Sequence, residues 1–118
     1  MKEKIEAAIA AHSQWKARLR AAIDTGKSDF DPAKVKLDTE CDFGKWIYGL
    51  SGAETQDPHF QTVKSDHQKF HQAAGKVLEL ALAGKKVEAE KEIGLNSEFS
   101  TYSSKTIMSL SDWKRKVS

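Results

Sequence analysis

Apolar side chains recur along this chain at the three- and four-residue spacing of amphipathic helices. The first such segment covers about residues 3–24, and it is followed by Gly26, a residue that commonly ends helices. Its apolar face consists of Ile5, Ile9, His12, Leu19 and Ile23. A second long segment covers about 58–83, with Asp57 as a favourable N-cap and Pro58 at the first helical position. Its apolar face consists of Phe60, Val63, His67, Phe70, His71, Ala74, Val77, Leu78 and Ala81.

Two further helices complete the predicted fold. The last helix covers about 86–115, with Gly94 as a weak point. Its predicted apolar side consists of Leu95, Phe99, Tyr102, Leu110 and Trp113. A short helix, about 40–49, contains Cys41, and the spacing of Thr39 and Asp42 matches a capping box. We therefore predict an all-α, antiparallel helical bundle of three long helices plus this short cysteine-bearing helix. Three long helices make a thin core, so we also expect a homodimer.

Composition and charge exclude several classes of function. The chain has 118 residues, which fits one domain over 1–118, and its 19 basic and 17 acidic residues nearly cancel. Without a basic field we expect no nucleic-acid partner. One cysteine makes no internal disulfide, and neither a signal peptide nor an apolar run of membrane-spanning length is present. We expect a cytoplasmic chain without membrane insertion.

Three of the four histidines lie on predicted apolar faces, where an imidazole needs partners for its ring nitrogens. His67 and His71, four residues apart, place both rings on one helix face, as a metal clamp requires. His12 lies in the middle of its own helix. If the helices of about 3–24 and about 58–83 form an antiparallel pair, the three rings share a layer. His59 follows Pro58 directly, and we expect it to be exposed to solvent rather than a ligand.

Cys41 has three possible roles: an inert buried side chain, a nucleophile, or a metal ligand. As a ligand it would complete a set of three histidines and one cysteine, which suits tetrahedral zinc. Its place at the start of a helix also favours the thiolate. Asp38, Glu40 and Asp66 are candidate partners for ring N–H groups, with solvated surface carboxylates as the alternative.

The stretches "AAHSQWK", "CDFGKWIYG" and "HQKFH" together resemble the chemoreceptor zinc-binding (CZB) domain family. The resemblance implies an all-helical, often dimeric bacterial domain of the cytoplasm that binds zinc through His12, Cys41, His67 and His71. It also implies attachment to a chemoreceptor or a diguanylate cyclase, so that residues 1–118 would be a sensory domain within a larger signalling protein. The implied signals are zinc and hypochlorous acid, which would oxidise Cys41 as the redox-sensing residue.

Other functions remain open at this point. A zinc hydrolase would need a ligand position open to water, which four protein ligands do not leave, so we expect no enzyme. An oxygen carrier with two irons would need more histidines and bridging carboxylates. The main alternative is a dimerisation module in which zinc has a structural role and senses nothing. Reactivity of the site toward oxidants separates these two functions.

Overall fold

The computed structural model describes residues 2–117, and the regular structure in that range is entirely helical, as predicted. The helices are α1 (Lys2–Ser13), α2 (Trp15–Thr25), α3 (Pro32–Val35), α4 (Asp42–Tyr48), α5 (Ala53–Gln56), α6 (Pro58–Leu82), α7 (Lys86–Glu92) and α8 (Glu98–Val117). Several predicted boundaries are confirmed. Gly26 ends α2 in the left-handed conformation, with φ of 71°, and the Asp57 side chain caps α6, in which Pro58 is the first residue. Across this range no helix combines the length and the apolar composition needed to cross a bilayer.

Helix α6 is the central element of the bundle, because α2, α3, α7 and α8 all pack against it. Helices α6 and α8 are antiparallel: the Phe60 ring lies 5.9 Å from the Trp113 ring, and the Phe70 ring lies 5.5 Å from the Phe99 ring.

The expected antiparallel pairing of the first helix with α6 is wrong. Ile5 shares a cluster with Phe60 at the start of α6, so α1 and α2 run in the same direction as α6. The connector of residues 26–57, which contains α3 to α5, returns the chain and permits this arrangement.

The predicted first helix, about 3–24, is interrupted at Gln14 and forms α1 and α2. The Ser13 hydroxyl donates to the Ile9 carbonyl at 2.6 Å, and the His12 ring bonds the Ala8 carbonyl at 2.7 Å. Side chains that bond carbonyls one turn back bend helices. Here the Gln14 N–H donates a hydrogen bond to the carbonyl of Ala11, three residues back, at 3.3 Å.

The predicted last helix, about 86–115, is also two helices, because the chain turns between α7 and α8. Asn96 has a positive φ of 68°, which a helix does not accommodate, and the Ser97 hydroxyl accepts a hydrogen bond from the Ser100 N–H. The assignment of Leu95 to the apolar face is wrong, since Leu95 is 90% exposed. Ile93 is buried in its place.

The core consists of two apolar clusters. The large cluster contains Trp15, Leu19, Ala22, Ile23, Val35, Phe70, Ala73, Ala74, Val77, Leu78, Ala81, Ala89, Ile93 and Phe99. The small cluster contains Ile5, Ala8, Phe43, Ile47, Phe60, Val63, Leu110 and Trp113.

A polar layer separates the two clusters along the bundle axis. On α1 and α2, His12 falls between Ala8 of the small cluster and Trp15 of the large cluster. On α6, His67 falls between Val63 and Phe70 in the same way. The ring of His12 lies 5.2 Å from the ring of Phe70 and 6.1 Å from the ring of Phe43, one from each cluster. Buried histidines between apolar clusters must satisfy their nitrogens locally, which makes this layer the candidate functional site.

Candidate metal centre

The structure brings together the four side chains that the sequence singled out. One ligand atom from each of His12, Cys41, His67 and His71 lies within 4.8 Å of the others. The Nε2 atom of His67 is central: it lies 3.0 Å from Nε2 of His12, 3.0 Å from Nε2 of His71 and 3.3 Å from Sγ of Cys41. Zinc bonds of about 2.0–2.3 Å in a tetrahedron need ligand atoms about 3.3–3.6 Å apart. The cluster is therefore of the size that a single zinc ion requires.

Backbone carbonyls determine which ring nitrogens of two histidines carry protons. Nδ1 of His12 lies 2.7 Å from the carbonyl oxygen of Ala8, and Nδ1 of His71 lies 2.9 Å from that of Val35. A carbonyl oxygen only accepts, so in both neutral rings the proton is on Nδ1. The Nε2 atoms of both rings then present lone pairs toward Nε2 of His67.

This convergence of lone pairs fits a bound cation. The three imidazoles are buried, with 3%, 0% and 2% of His12, His67 and His71 exposed. Burial lowers the pKa of His12 to about 4 and that of His67 to about 2, and it lowers the pKa of His71 as well. The rings are therefore neutral near pH 7, and one proton on His67 Nε2 would serve only one of its neighbours. Neutral imidazoles and a thiolate are the ligands that zinc prefers.

Cys41 is the N-cap of α4. Its Sγ accepts a hydrogen bond from the Gly44 N–H at 3.3 Å. The predicted cap at Thr39 is therefore wrong, because Cys41 has the extended backbone of a cap and its own side chain accepts from the N–H of the third helical residue. The start of the helix favours the thiolate as expected, because its N–H groups lower the pKa of Cys41, but burial outweighs this effect. Burial raises the pKa of Cys41 by more than the Gly44 and Phe43 N–H groups lower it. A thiolate at neutral pH then requires the metal.

The three carboxylates proposed as partners for ring N–H groups do not act in that way in the described structure. Asp38 is buried and accepts a hydrogen bond from the Tyr48 hydroxyl at 2.6 Å, and Asp66 accepts one from the Ser109 hydroxyl at 3.1 Å. Glu40 is exposed. Backbone carbonyls take that role for two of the rings. The Ala8 carbonyl follows from helical geometry, but no sequence signal identifies the carbonyl of Val35.

Two glycines allow the site to close, and periodicity did not identify either of them. A Cβ on Gly44 would collide with the backbone carbonyl of Asp38, so α4 and the segment before it meet without space for a side chain. A Cβ on Gly75 would stand 3.0 Å from the Pro32 carbonyl oxygen and 3.1 Å from the Lys36 nitrogen. Gly75 therefore lets α3, which carries the Val35 carbonyl, approach α6.

His59 lies outside the cluster. Its ring bonds the Asp57 carboxylate at 3.2 Å in the first turn of α6, and 39% of its side chain is exposed. Its position fits the expectation that it contacts solvent and is not one of the clustered histidines.

Comparison with known proteins places the chain in a family. The family model described as the chemoreceptor zinc-binding domain matches residues 12–78, more than half of the chain. Searches of curated proteins and of solved structures found no match. The matched range begins at His12 and includes the other three clustered residues. The chain therefore belongs to the chemoreceptor zinc-binding (CZB) domain family.

Proposed function

We propose that His12, Cys41, His67 and His71 bind one zinc ion, and that this site makes the chain a sensor domain of a bacterial signalling protein. The family is one of zinc-binding domains in signalling proteins. Support for this ligand set comes from the convergence of four ligand atoms within 4.8 Å in the polar layer. Four protein ligands leave no position for a catalytic water, which is the reason for proposing a regulatory domain without enzymatic activity.

One observation supports redox sensing: Cys41 is the only partly exposed member of the four clustered residues. Cys41 lines a groove of about 710 Å³ formed by α1, residues 29–40 and α4, and the buried His12 and His71 also border this groove. Apolar side chains of Trp15, Phe30 and Trp46 line the same groove. A small neutral oxidant such as hypochlorous acid can reach the sulfur through this groove.

The chemistry at Cys41 follows from its thiolate. Zinc, when bound, keeps Cys41 deprotonated at neutral pH, and a thiolate is the reactive form of cysteine. The sulfur attacks the chlorine of hypochlorous acid, and the Cl–O bond breaks with release of hydroxide. Hydroxide then displaces chloride from sulfur and forms the S–O bond, so that thiolate and hypochlorous acid give a sulfenic acid and chloride. The product is a poorer ligand than the thiolate, so three histidines remain to bind the metal. The start of α4 then loses both its metal bond and its charged cap.

The test is a titration of hypochlorous acid against the zinc-loaded protein. Released zinc is measured with a chromogenic chelator, and the oxidation state of Cys41 is measured by mass spectrometry. The proposal predicts that zinc release and Cys41 oxidation rise together from the first equivalents. Cys41→Ser is the control, and it should show no oxidant-dependent release. Zinc release without oxidation of Cys41, or full oxidation with zinc retained, would contradict redox sensing.

The proposed setting is cytoplasmic, as part of a longer signalling protein. A chemoreceptor, with chemotaxis as the output, is the first candidate, and a diguanylate cyclase is the second. A homodimer is the proposed functional unit, because exposed apolar side chains such as Leu37 and Met108 remain on the single bundle. Measuring the mass in solution tests this point. A monomer at micromolar concentration would contradict it.

A structural dimerisation module is the second candidate, because the site lies between the two core clusters and contacts both. In that case the zinc would resist oxidants at concentrations that oxidise an exposed thiol, and zinc removal would abolish dimerisation. Sensitivity of the site to scarce zinc, without reactivity toward oxidants, would instead identify a zinc sensor.

A further inference from the structure

Two buried side-chain polar atoms have no hydrogen-bond partner in the part of the chain that the structure describes: Nδ1 of His67 and Oγ1 of Thr106. Both residues are completely buried, with 0% exposure. A buried polar group without a partner destabilises the fold, and such groups are rare in folded proteins. Two such groups in one small bundle call for a common explanation.

The packing of α6 against α8 places these two residues at the same level of the bundle. The helices are antiparallel. Asp66 bonds Ser109, and the ring of Phe70 contacts the ring of Phe99. His67 lies between the two contacts on α6, and Thr106 lies between them on α8. Thr106 also falls between Leu110 of the small cluster and Phe99 of the large cluster. It therefore belongs to the same polar layer as the three histidines.

The two atoms have complementary chemistry. If Nε2 of His67 binds a metal ion, the proton of its neutral ring must be on Nδ1, which is then a donor. Thr106 has a hydroxyl that can donate to the carbonyl one turn back and still accept a second hydrogen bond. His12 and His71 have carbonyl acceptors for their Nδ1–H groups, at Ala8 and Val35. His67 lacks such a carbonyl, and Thr106 is the unpartnered acceptor at its level.

We propose that Thr106 is the positioning residue of the metal centre, accepting a hydrogen bond from the Nδ1–H of His67 when Nε2 of that ring binds zinc. The hydrogen bond fixes the tautomer of His67 and raises the basicity of its ligating nitrogen. Thr106 lies on α8, outside the range 12–78 that the family model matches. The contact would couple α8, which extends to the C-terminal end of the described chain, to the metal through the His67 ring. This inference rests on the proposed assignment of His67 as a ligand.

The test compares Thr106→Val with Thr106→Ser in the zinc-loaded protein. Valine keeps the size of threonine and removes the hydroxyl, whereas serine keeps the hydroxyl. Zinc affinity, measured by chelator competition, should fall about 10- to 100-fold in Thr106→Val, the range for lost partners of ligating histidines, and stay near wild type in Thr106→Ser. Ser109→Ala is the matched control on the same helix, because the Ser109 hydroxyl bonds Asp66. The zinc affinity of this variant should equal that of the wild type.

Nuclear magnetic resonance of the histidine rings supplies the second measurement. A protected Nδ1–H signal of His67 should appear in the zinc-loaded wild type and in Thr106→Ser, and should be lost or shifted in Thr106→Val. Unchanged affinity and an unchanged His67 signal in Thr106→Val would overturn this inference alone. If zinc loading left the His67 ring signals of the wild type unchanged, the ligand assignment and this inference would both be wrong.

Discussion

Gly44 packs so closely against the carbonyl of Asp38 that a Cβ at Gly44 has no room. This contact joins the two sides of Cys41: Asp38 precedes it, and Gly44 donates its N–H to the sulfur. Gly44→Ala should therefore displace the start of α4 and move Sγ away from His67. We expect a clear loss of zinc affinity and a loss of about 1–3 kcal/mol in the free energy of unfolding, as for overpacked cores.

Gly49→Ala is the matched control at the other end of the same helix. A Cβ there would meet only ordinary contacts at 3.4 and 3.5 Å, and its φ of –88° suits alanine. Its zinc affinity should equal that of the wild type. Equal affinities in Gly44→Ala and Gly49→Ala would show that the Gly44–Asp38 contact does not position Cys41.

Gly75→Ala tests the approach of α3. Alanine normally stabilises a helix interior by about 0.5–1 kcal/mol relative to glycine. Here the new Cβ would press on α3 backbone atoms at 3.0 and 3.1 Å and push away the Val35 carbonyl that accepts from His71. We expect weaker zinc binding by chelator competition, whereas Gly94→Ala, with contacts at 3.5 Å, should leave it unchanged. Tighter binding in Gly75→Ala would contradict this role of α3.

His71→Ala and His59→Ala form a matched pair on α6. His71 lies in the cluster and His59 bonds Asp57 at the surface. Isothermal titration should show zinc affinity falling by more than about 100-fold in His71→Ala, which exceeds the loss usual for outer-shell partners. His59→Ala should bind one zinc ion as the wild type does. A large loss of zinc affinity in His59→Ala would mean that the proposed set of four ligands is wrong.

The metal-free fold should lose stability in mild acid. Burial lowers the folded-state pKa of His12 to about 4, below the ordinary value of 6.5. Between these values the unfolded chain binds a proton that the folded chain does not, so this stability is fully present above pH 6.5 and falls as the pH drops toward 4. The contribution of His12 alone is about 3 kcal/mol at most. Urea unfolding with a chelator present, at pH 7.5, 6 and 5, should show the decline, and a flat profile would contradict neutral buried rings.

Much of the fold was predictable because its determinants are local. Asp57 and Pro58 marked the start of α6, Gly26 marked the end of α2, and the four-residue spacing of His67 and His71 placed both rings on one face. Local rules did not find the interruption at Gln14, because it depends on side chains that bond the backbone of the preceding turn. They also placed Leu95 on the wrong side, because a turn at Asn96 changes the helical register.

The parts of the site that were missed depend on tertiary contacts. The parallel course of α1 and α6 follows from the return path of residues 26–57, which no periodicity describes. Gly44, Gly75 and the carbonyl of Val35 matter only because segments distant in sequence meet there. Thr106 has no motif, and only its buried hydroxyl without a hydrogen-bond partner distinguishes it.

We propose that a bond from Cys41 to zinc would hold the start of α4 on the bundle. The apolar side of α4 has its own anchors, since Phe43 and Ile47 are buried and the Trp46 ring lies 5.8 Å from that of Trp113. The response to oxidation should therefore begin at the capped end, where Cys41 is both the proposed ligand and the cap. The decisive measurement is hydrogen exchange before and after oxidation of Cys41. Exchange should rise most in residues 38–50, beginning at the Gly44 N–H. Unchanged protection there with Cys41 fully converted to sulfenic acid would contradict it.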